Sequence, residues 1–275
     1  MKAARGAALL LVLWLILLLS GLVAGYALGA RVESLQGNGL ARAATAREAA
    51  RAGVEYAVAR MLDADPARRW AADGREYGFA LDGIPVQVRV RDEAAKIDLN
   101  AASFELLQAF FVALGEPRAS AIGLAGAVVD WRDADSLGQP AGGAEDADYA
   151  AAGLAWGAKD APFDTVAELE QVLGMRPALY AAAAPHLTVH TGRAMPDAGF
   201  ADAVVRKAMG LDAPAAPIDP DAPPPPGSGT YSIDSRARLT DGRSTRLSVV
   251  LRMGGNGLPG STYTTLHWQA EGAAK

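Results

Sequence analysis

The sequence predicts an α+β fold: a long N-terminal spine helix laid on an antiparallel sheet, with a mostly helical domain inserted between the strands. Three observations carry that expectation. An uncharged apolar run, Ala7 to Ala30, passes directly into an Ala-, Arg- and Glu-rich stretch with helical spacing. Two alternating segments follow it, and three more close the chain. Between the two sets, residues 98–212 carry helix starts and stops rather than alternation.

At 1.5 Å per residue the 24 residues from Ala7 to Ala30 make a helix of about 36 Å, long enough to cross a bilayer with some tilt. Lys2 and Arg5 precede it, so the bulk after Arg31 is expected on the exported side. Three fates are open for this segment. It is a secretory signal cut near Ala27-Leu28-Gly29, a plain anchor, or a span kept after a short basic leader is cut between Gly6 and Ala7. A signal peptide's apolar core normally runs only about 7–15 residues, which favours the last. Gly21, Gly25 and Gly29 repeat every four residues and form a helix-packing face where another backbone can approach closely.

The helix is expected to continue from Arg31 to Leu62, with Gly37-Asn38-Gly39 as a point of partial unwinding. Asp65-Pro66 stops it. Tyr77–Leu81 and Ile84–Val90 read as two strands around the turn pair Asp82-Gly83. In the middle block, Ser103 caps a helix running to Leu114, and Pro117 opens another from Arg118 to Trp131. A loop runs from Arg132 to Asp148. Asp164 and Thr165 cap a short helix over Val166–Leu173, Pro177–Ala184 forms the next, Leu187-Thr188-Val189 a strand, and Phe200–Leu211 the last helix. Residues 213–229 are proline-rich and read as an extended linker. Thr230–Leu239, Arg243–Met253 and Ser261–Gln269 alternate like antiparallel strands. The divisions expected are thus 1–6, 7–30, 31–62, 63–97, 98–212, 213–229 and 230–275.

Composition narrows the function classes. The chain has 275 residues, no cysteine, three histidines and a formal charge of −5. Absent cysteine excludes disulfides, Cys-ligated zinc, iron–sulfur clusters and thiol nucleophiles. The acidic balance argues against a general binder of phosphate backbones. No Gly-x-Ser-x-Gly, phosphate-loop or His-Glu-x-x-His motif occurs, so no enzyme chemistry is expected. His186 and His190 are four apart, but the run around them reads as a strand, where that spacing spans about 13 Å and no single ion bridges it.

The loop Asp130–Asp148 gathers Asp130, Asp133, Asp135, Glu145, Asp146 and Asp148 around one Arg132. Such a cluster is either solvated or bridged by a cation, and Ca²⁺, which takes six to eight oxygens in flexible geometry, suits a glycine-rich loop. The spacing is not that of an EF-hand, because the twelfth position from Asp133 is Ala144. The candidate ligand set is Asp133, Asp135, Glu145 and Asp146.

Several segments resemble the K-type minor pseudopilins of type II secretion (general secretion pathway protein K). They are Arg5-Gly6-Ala7-Ala8-Leu9-Leu10-Leu11, Lys96–Ser103, Asp130-Trp131-Arg132-Asp133-Ala134-Asp135 with Gly143-Ala144-Glu145-Asp146 and Tyr149, then Pro162-Phe163, Glu168-Leu169, Val172–Met175 and Leu187–Val189. The C-terminal Tyr231-Ser232-Ile233 and Val249–Arg252 also fit. The resemblance implies a pilin-like fold with an inserted helical domain. It further implies a single-pass protein of the bacterial inner membrane with its bulk in the periplasm, and a place at the tip of a short pseudopilus. Expected partners are the I- and J-type minor pseudopilins, the inner-membrane assembly platform and the prepilin peptidase, which would cut after Gly6 and leave Ala7 to be methylated. Calcium in the Asp130–Asp148 loop is implied as well. Ordinary pilin-like subunits carry a glutamate at the fifth mature position, and Leu11 stands there in this chain. A membrane-buried carboxylate costs roughly 2.5–3.5 kcal/mol unless it meets the amino terminus of a subunit above, so Leu11 suits a topmost subunit. The other reading comes from Asp98–Trp131, which resembles a helix-hairpin-helix and would make the chain a membrane-anchored DNA receptor of the competence type. Its hairpin, Leu114-Gly115-Glu116-Pro117, puts an acid where phosphate should sit, so no nucleic acid is expected.

Overall fold

The computed structural model describes residues 5–211, 227–255, 257 and 260–274. The first four residues of the expected leader and most of the expected proline-rich linker lie outside them. Helix α1 runs unbroken over Arg5–Met61. Gly37-Asn38-Gly39 does not unwind it: the Gly39 carbonyl accepts from Arg243 Nη1 at 3.2 Å, and Arg42 pairs with Asp241 at 3.0 Å. A clamp from the sheet thus replaces the propensity the glycines lose. From Ala8 to Asn38, α1 is exposed throughout, and the helix is apolar enough to cross a membrane.

The sheet has the order β1 (Asp73–Leu81), β2 (Ile84–Asp92), β5 (Thr230–Arg238), β6 (Ser244–Met253) and β7 (Tyr263–Ala274), antiparallel throughout. Everything between β2 and β5 is insert, as the alternation in the sequence implies. The second half of α1 packs across β2, β5 and β6. It does so through small side chains: Ala46, Ala49, Ala50, Gly53 and Ala57 are buried beside Val54 and Val58. They meet Val86, Val88, Val90, Ile233, Leu247, Val249 and Leu251, which alternate with polar residues on their strands. Gly53 is required by contact, because a side-chain carbon there would sit 2.1 Å from Ser235 Oγ. Each buried Val, Leu or Ile in this contact contributes about 1.5–3 kcal/mol, and the alanines let the helix come close enough to bury them.

The insert has its own core. It holds β3 (Ile97–Asp98), α2 (Phe104–Ala113), α3 (Arg118–Arg132), α4 (Asp146–Ala151), α5 (Pro177–Ala183), β4 (Leu187–Thr188) and α6 (Ala203–Ala208). Leu107, Phe110, Phe111, Val128, Tyr149 and Leu169 are buried together. The Ser103 hydroxyl caps α2 through Leu106 N at 3.2 Å, as its position predicts. Three elements differ from expectation. The last helix, expected over Phe200–Leu211, spans only Ala203–Ala208, because Asp202 Oδ1 accepts from Val204 N at 2.9 Å and starts it there. The stretch expected as a helix over Val166–Leu173 is a 3-10 turn over Val166–Gln171, closed by a Thr165–Glu168 capping box before Gly174. The loop from Arg132 ends at Glu145 rather than Asp148, because the Asp148 carboxylate accepts from Glu145 N at 3.0 Å and starts α4 early.

β3 and β4 form a two-residue parallel pair that ties the beginning of the insert to the segment that follows α5. Buried carboxylates reinforce the tie. Asp98, 1% exposed, accepts from Thr191 N at 2.9 Å, Thr191 Oγ1 at 2.8 Å and Gly192 N at 2.8 Å. Glu93 accepts from Lys96 Nζ and, at 2.5 Å, from Thr188 Oγ1. Asp92, fully buried, accepts from Ser228 N at 2.6 Å. The insert leaves the sheet at Asp92 and returns at Thr230, whereas the β5–β6 turn carrying Asp241 lies beside Gly39 and Arg42. The insert therefore crowns the end of the sheet farthest from the apolar half of α1.

Candidate metal centre

The acidic loop is built from the end of α3 outward. Asp130 occupies the last turn of α3 with its carboxylate turned inward and no exposed surface. The carboxylate accepts from Ala144 N at 2.7 Å and Gln139 N at 3.2 Å, folding the loop back over the helix. Two glycines let the chain come that close. A side-chain carbon at Gly126 on α3 would lie 1.5 Å from the Gly142 carbonyl oxygen, and one at Gly143 would lie 1.9 Å from Asp130 Oδ2.

This fold-back brings Asp130, Asp133 and Glu145 together, each with a carboxylate oxygen within 4.8 Å of the others. Asp133 Oδ1 and Glu145 Oε1 are buried and take no hydrogen bond. The cation of the sequence cluster does not serve them: Arg132 Nη1 and Nη2 donate to the carbonyls of Leu99 and Ala102. Burial first, and then repulsion from neighbouring carboxylates, pushes the carboxyls of Asp130, Asp133 and Glu145 above their ordinary values, against hydrogen bonds from Ala144 and Gln139 at Asp130 and against Arg132 at Asp133. Asp135 adds to that repulsion at all three, and Asp160 at Asp133 and Glu145. Buried oxygens without donors, in a field of like charge, fit a hard divalent cation such as Ca²⁺. The residues placed to hold one are Asp130, Asp133 and Glu145.

The structure redistributes the four ligands expected from the sequence. Asp133 and Glu145 meet. Asp135 stands nearby, with Oδ1 accepting from Leu137 N at 2.9 Å. Asp146 is exposed, opens α4 and lies against Gly157. Asp130 enters instead, because its helical position three residues before Asp133 aims both at one point. Asp160 escaped the sequence reading entirely. It lies in a loop far along the chain, and the only trace it shows is its left-handed backbone, φ 55°.

The other singled-out residues are placed as follows. Gly6 and Ala7 lie within the backbone of α1. Gly21, Gly25 and Gly29 have nothing within 4 Å of a would-be side chain. His186 sits on a 3-10 turn rather than a strand, because the Ala184–His186 turn follows directly on α5 and continues its winding. Its Nδ1 lies 2.6 Å from Asp202 Oδ2. His190 belongs to neither β4 nor that turn; burial lowers its pKa, with Glu93 and His267 among its charged neighbours. In the α2–α3 hairpin, Glu116 is paired with Arg176.

Residues 87–192 match the family model for type II secretion system (T2SS), protein K. That stretch runs from β2 to just past β4 and contains the whole acidic centre. A search of curated proteins finds no match. Among solved structures, the fold is similar to a chain of the crystal structure of the GspK-GspI-GspJ complex from the type 2 secretion system of enterotoxigenic Escherichia coli. The TM-score is 0.60 at 19% identity, covering 88% of this chain and 99% of that one. The resemblance to K-type minor pseudopilins read from the sequence is thus borne out.

Proposed function

We propose that this chain is a structural, non-enzymatic minor pseudopilin that starts pseudopilus assembly and caps the fibre, in support of protein export across the outer membrane. The observation that carries the tip position is the crown. The whole helical insert projects beyond the sheet, on the side away from the membrane-spanning half of α1. A subunit stacked directly above would collide with it, while subunits below have room. Leu11 agrees, since an uncharged side chain in the span asks for no amino terminus from above.

In this reading a prepilin peptidase removes the leader after Gly6 and Ala7 becomes the methylated terminus. The chain stays in the bacterial inner membrane with its bulk in the periplasm. Gly21, Gly25 and Gly29 present the face on which neighbouring spans pack. Because GspK, GspI and GspJ of Escherichia coli form one complex, the partners proposed are the I- and J-type minor pseudopilins, together with the inner-membrane assembly platform. A structural Ca²⁺ held by Asp130, Asp133 and Glu145 would neutralise the centre and fasten the loop to α3. The experiment is electron microscopy of assembled pseudopili with a tag on this chain. One label at the distal end is expected; labels repeated along the shaft would overturn the assignment.

A further inference from the structure

Burial divides the sheet into two faces. Val86, Val88, Val90, Ile233, Leu247 and Val249 turn towards α1, and their neighbours along each strand turn away from it. The outer face carries Arg89 and Arg91 on β2, Arg236 and Arg238 on β5, and Arg246 and Arg252 on β6. Two of these are paired: Glu76 lies 2.9 Å from Arg89, and Asp234 and Glu271 lie 2.9 and 3.9 Å from Arg246. Arg91, Arg236, Arg238 and Arg252 have no carboxylate within 4.0 Å among the described residues. A chain with a formal charge of −5 therefore turns a cationic face to solvent on the side away from its spine.

The insert leans over one end of this face and encloses a cleft of about 460 Å³. The floor is a cross-strand row, Arg91, Ser232, Val250 and His267, with Arg246 beside it. The wall is apolar: Val166 and Ala167 of the 3-10 turn, Tyr180 of α5, and Pro185. Ala167 and Pro185 are exposed, while Val166 and Tyr180 are half-buried. Lys96 and Glu93 also line the cleft but are already paired with each other.

We propose that this cleft binds a short, extended segment of another protein that carries both acidic and apolar side chains. The proposal needs only the anchored fold, not the pseudopilin reading. Three features select the occupant. The first is charge: the guanidinium fork of an unpaired arginine such as Arg91 matches a carboxylate with two hydrogen bonds. The second is the wall, which gives a bare phosphate or a nucleic acid nothing to cover. An extended peptide sets alternate side chains on opposite sides, so carboxylates can meet the floor while apolar groups meet the insert. The third is height. The helix from Arg31 to Met61 is about 46 Å long, and Arg91 pairs with Asp73 just past its end. Lipid headgroups at the foot of that helix do not reach the cleft, whereas a protein on the exported side does. The volume lies within the roughly 300–1,000 Å³ of ordinary ligand sites.

The test titrates the full chain, in detergent micelles, into fluorescein-labelled short peptides and follows their anisotropy. The probes are peptides of alternating Glu and Val, of alternating Glu and Ser, and of alternating Lys and Val. The Glu-Val peptide is expected to bind most tightly and the Lys-Val peptide not at all. Arg91→Glu reverses a charge on the floor, and Ala167→Trp fills the cleft from the wall. Each should weaken Glu-Val binding at least about tenfold, the loss of one hydrogen bond to a charged group. Arg193→Glu makes the same charge change on the exposed surface of the insert outside the cleft, and should weaken binding less than about twofold. Arg91 and Ala167 are both exposed, and unchanged thermal melting verifies folding; if one variant melts early, the other decides alone. No binding of the Glu-Val peptide, equal binding of the Glu-Ser peptide, equal loss in Arg193→Glu, or equal affinity for duplex DNA overturns the proposal.

Discussion

Replacing Gly126 and Gly123 by alanine, three residues apart on α3, should have effects of opposite sign. Helix propensity alone favours alanine at each by about 1 kcal/mol. At Gly123 the added carbon meets nothing within 4 Å, so that gain should be realised. At Gly126 it would lie 1.5 Å from the Gly142 carbonyl oxygen and 2.9 Å from Gly143 Cα, both backbone atoms that no rotamer change can move. The 139–145 segment must lift by roughly 2 Å to restore ordinary contact. That lift breaks the bonds from Ala144 N and Gln139 N to the buried Asp130 carboxylate. Hydrogen bonds to a charged group are worth about 1.5–3 kcal/mol each, so losing two and gaining the propensity leaves a net destabilisation of about 2–5 kcal/mol. Urea unfolding of residues 31–275 measures this, followed by the fluorescence of Trp131, which packs against Tyr149 and Phe163 in the insert core. A Gly126→Ala protein as stable as Gly123→Ala would refute the claim that backbone proximity at Gly142 shapes the centre.

Calcium should raise the melting temperature of the same fragment and chelator should lower it. The gain is about 2.7 kcal/mol at a hundredfold excess over Kd. Glu145→Gln should lose most of that response and Asp135→Asn much less; equal loss in the two would return Asp135 to the ligand set. Without calcium, stability should fall as pH rises. Asp130, Asp133 and Glu145 keep their protons above the ordinary 3.8 and 4.5, so the native state binds more protons than the unfolded chain between those values and the raised ones. The loss begins near pH 4 and is complete above the raised values, and saturating calcium should abolish it in parallel melts. Finally, intact mass of the protein extracted from membranes should show residues 1–6 removed and one methyl group added. A chain beginning near Ala30 would instead mean a conventional signal peptide.

The spine, the strands and the starts of the insert's first helices were legible because each rests on a local pattern. Charge-free length marks the span, alternation marks Val86-Val88-Val90, and Ser103 and Pro117 mark helix starts. What stayed hidden depended on contacts distant in sequence. The strand at Leu187–Thr188 was expected, but its parallel partner Ile97–Asp98, two residues long and 90 positions earlier, was not. The glycines at 37 and 39 argued for a break that Arg243 removes from across the sheet. At the acidic centre the carboxylates could be counted but not aimed. Helix α3 extends through Arg132, which turns Asp130 inward with Asp133, and the early start of α4 carries Asp146 outward. Asp160 reaches the cluster through folding alone.

The manner in which the insert is fastened bears on mechanics. Its two chain ends do not dangle from the sheet. The outgoing end is zipped in parallel to β4 by β3, and Glu93 and Asp98 bind Thr188, Thr191 and Gly192 beside it, while Asp92 holds the returning chain at Ser228. A thrust delivered along α1 from the membrane side would be shared among these short bonds. On the proposed reading, displacement at the base of α1 would then carry the insert along with the sheet.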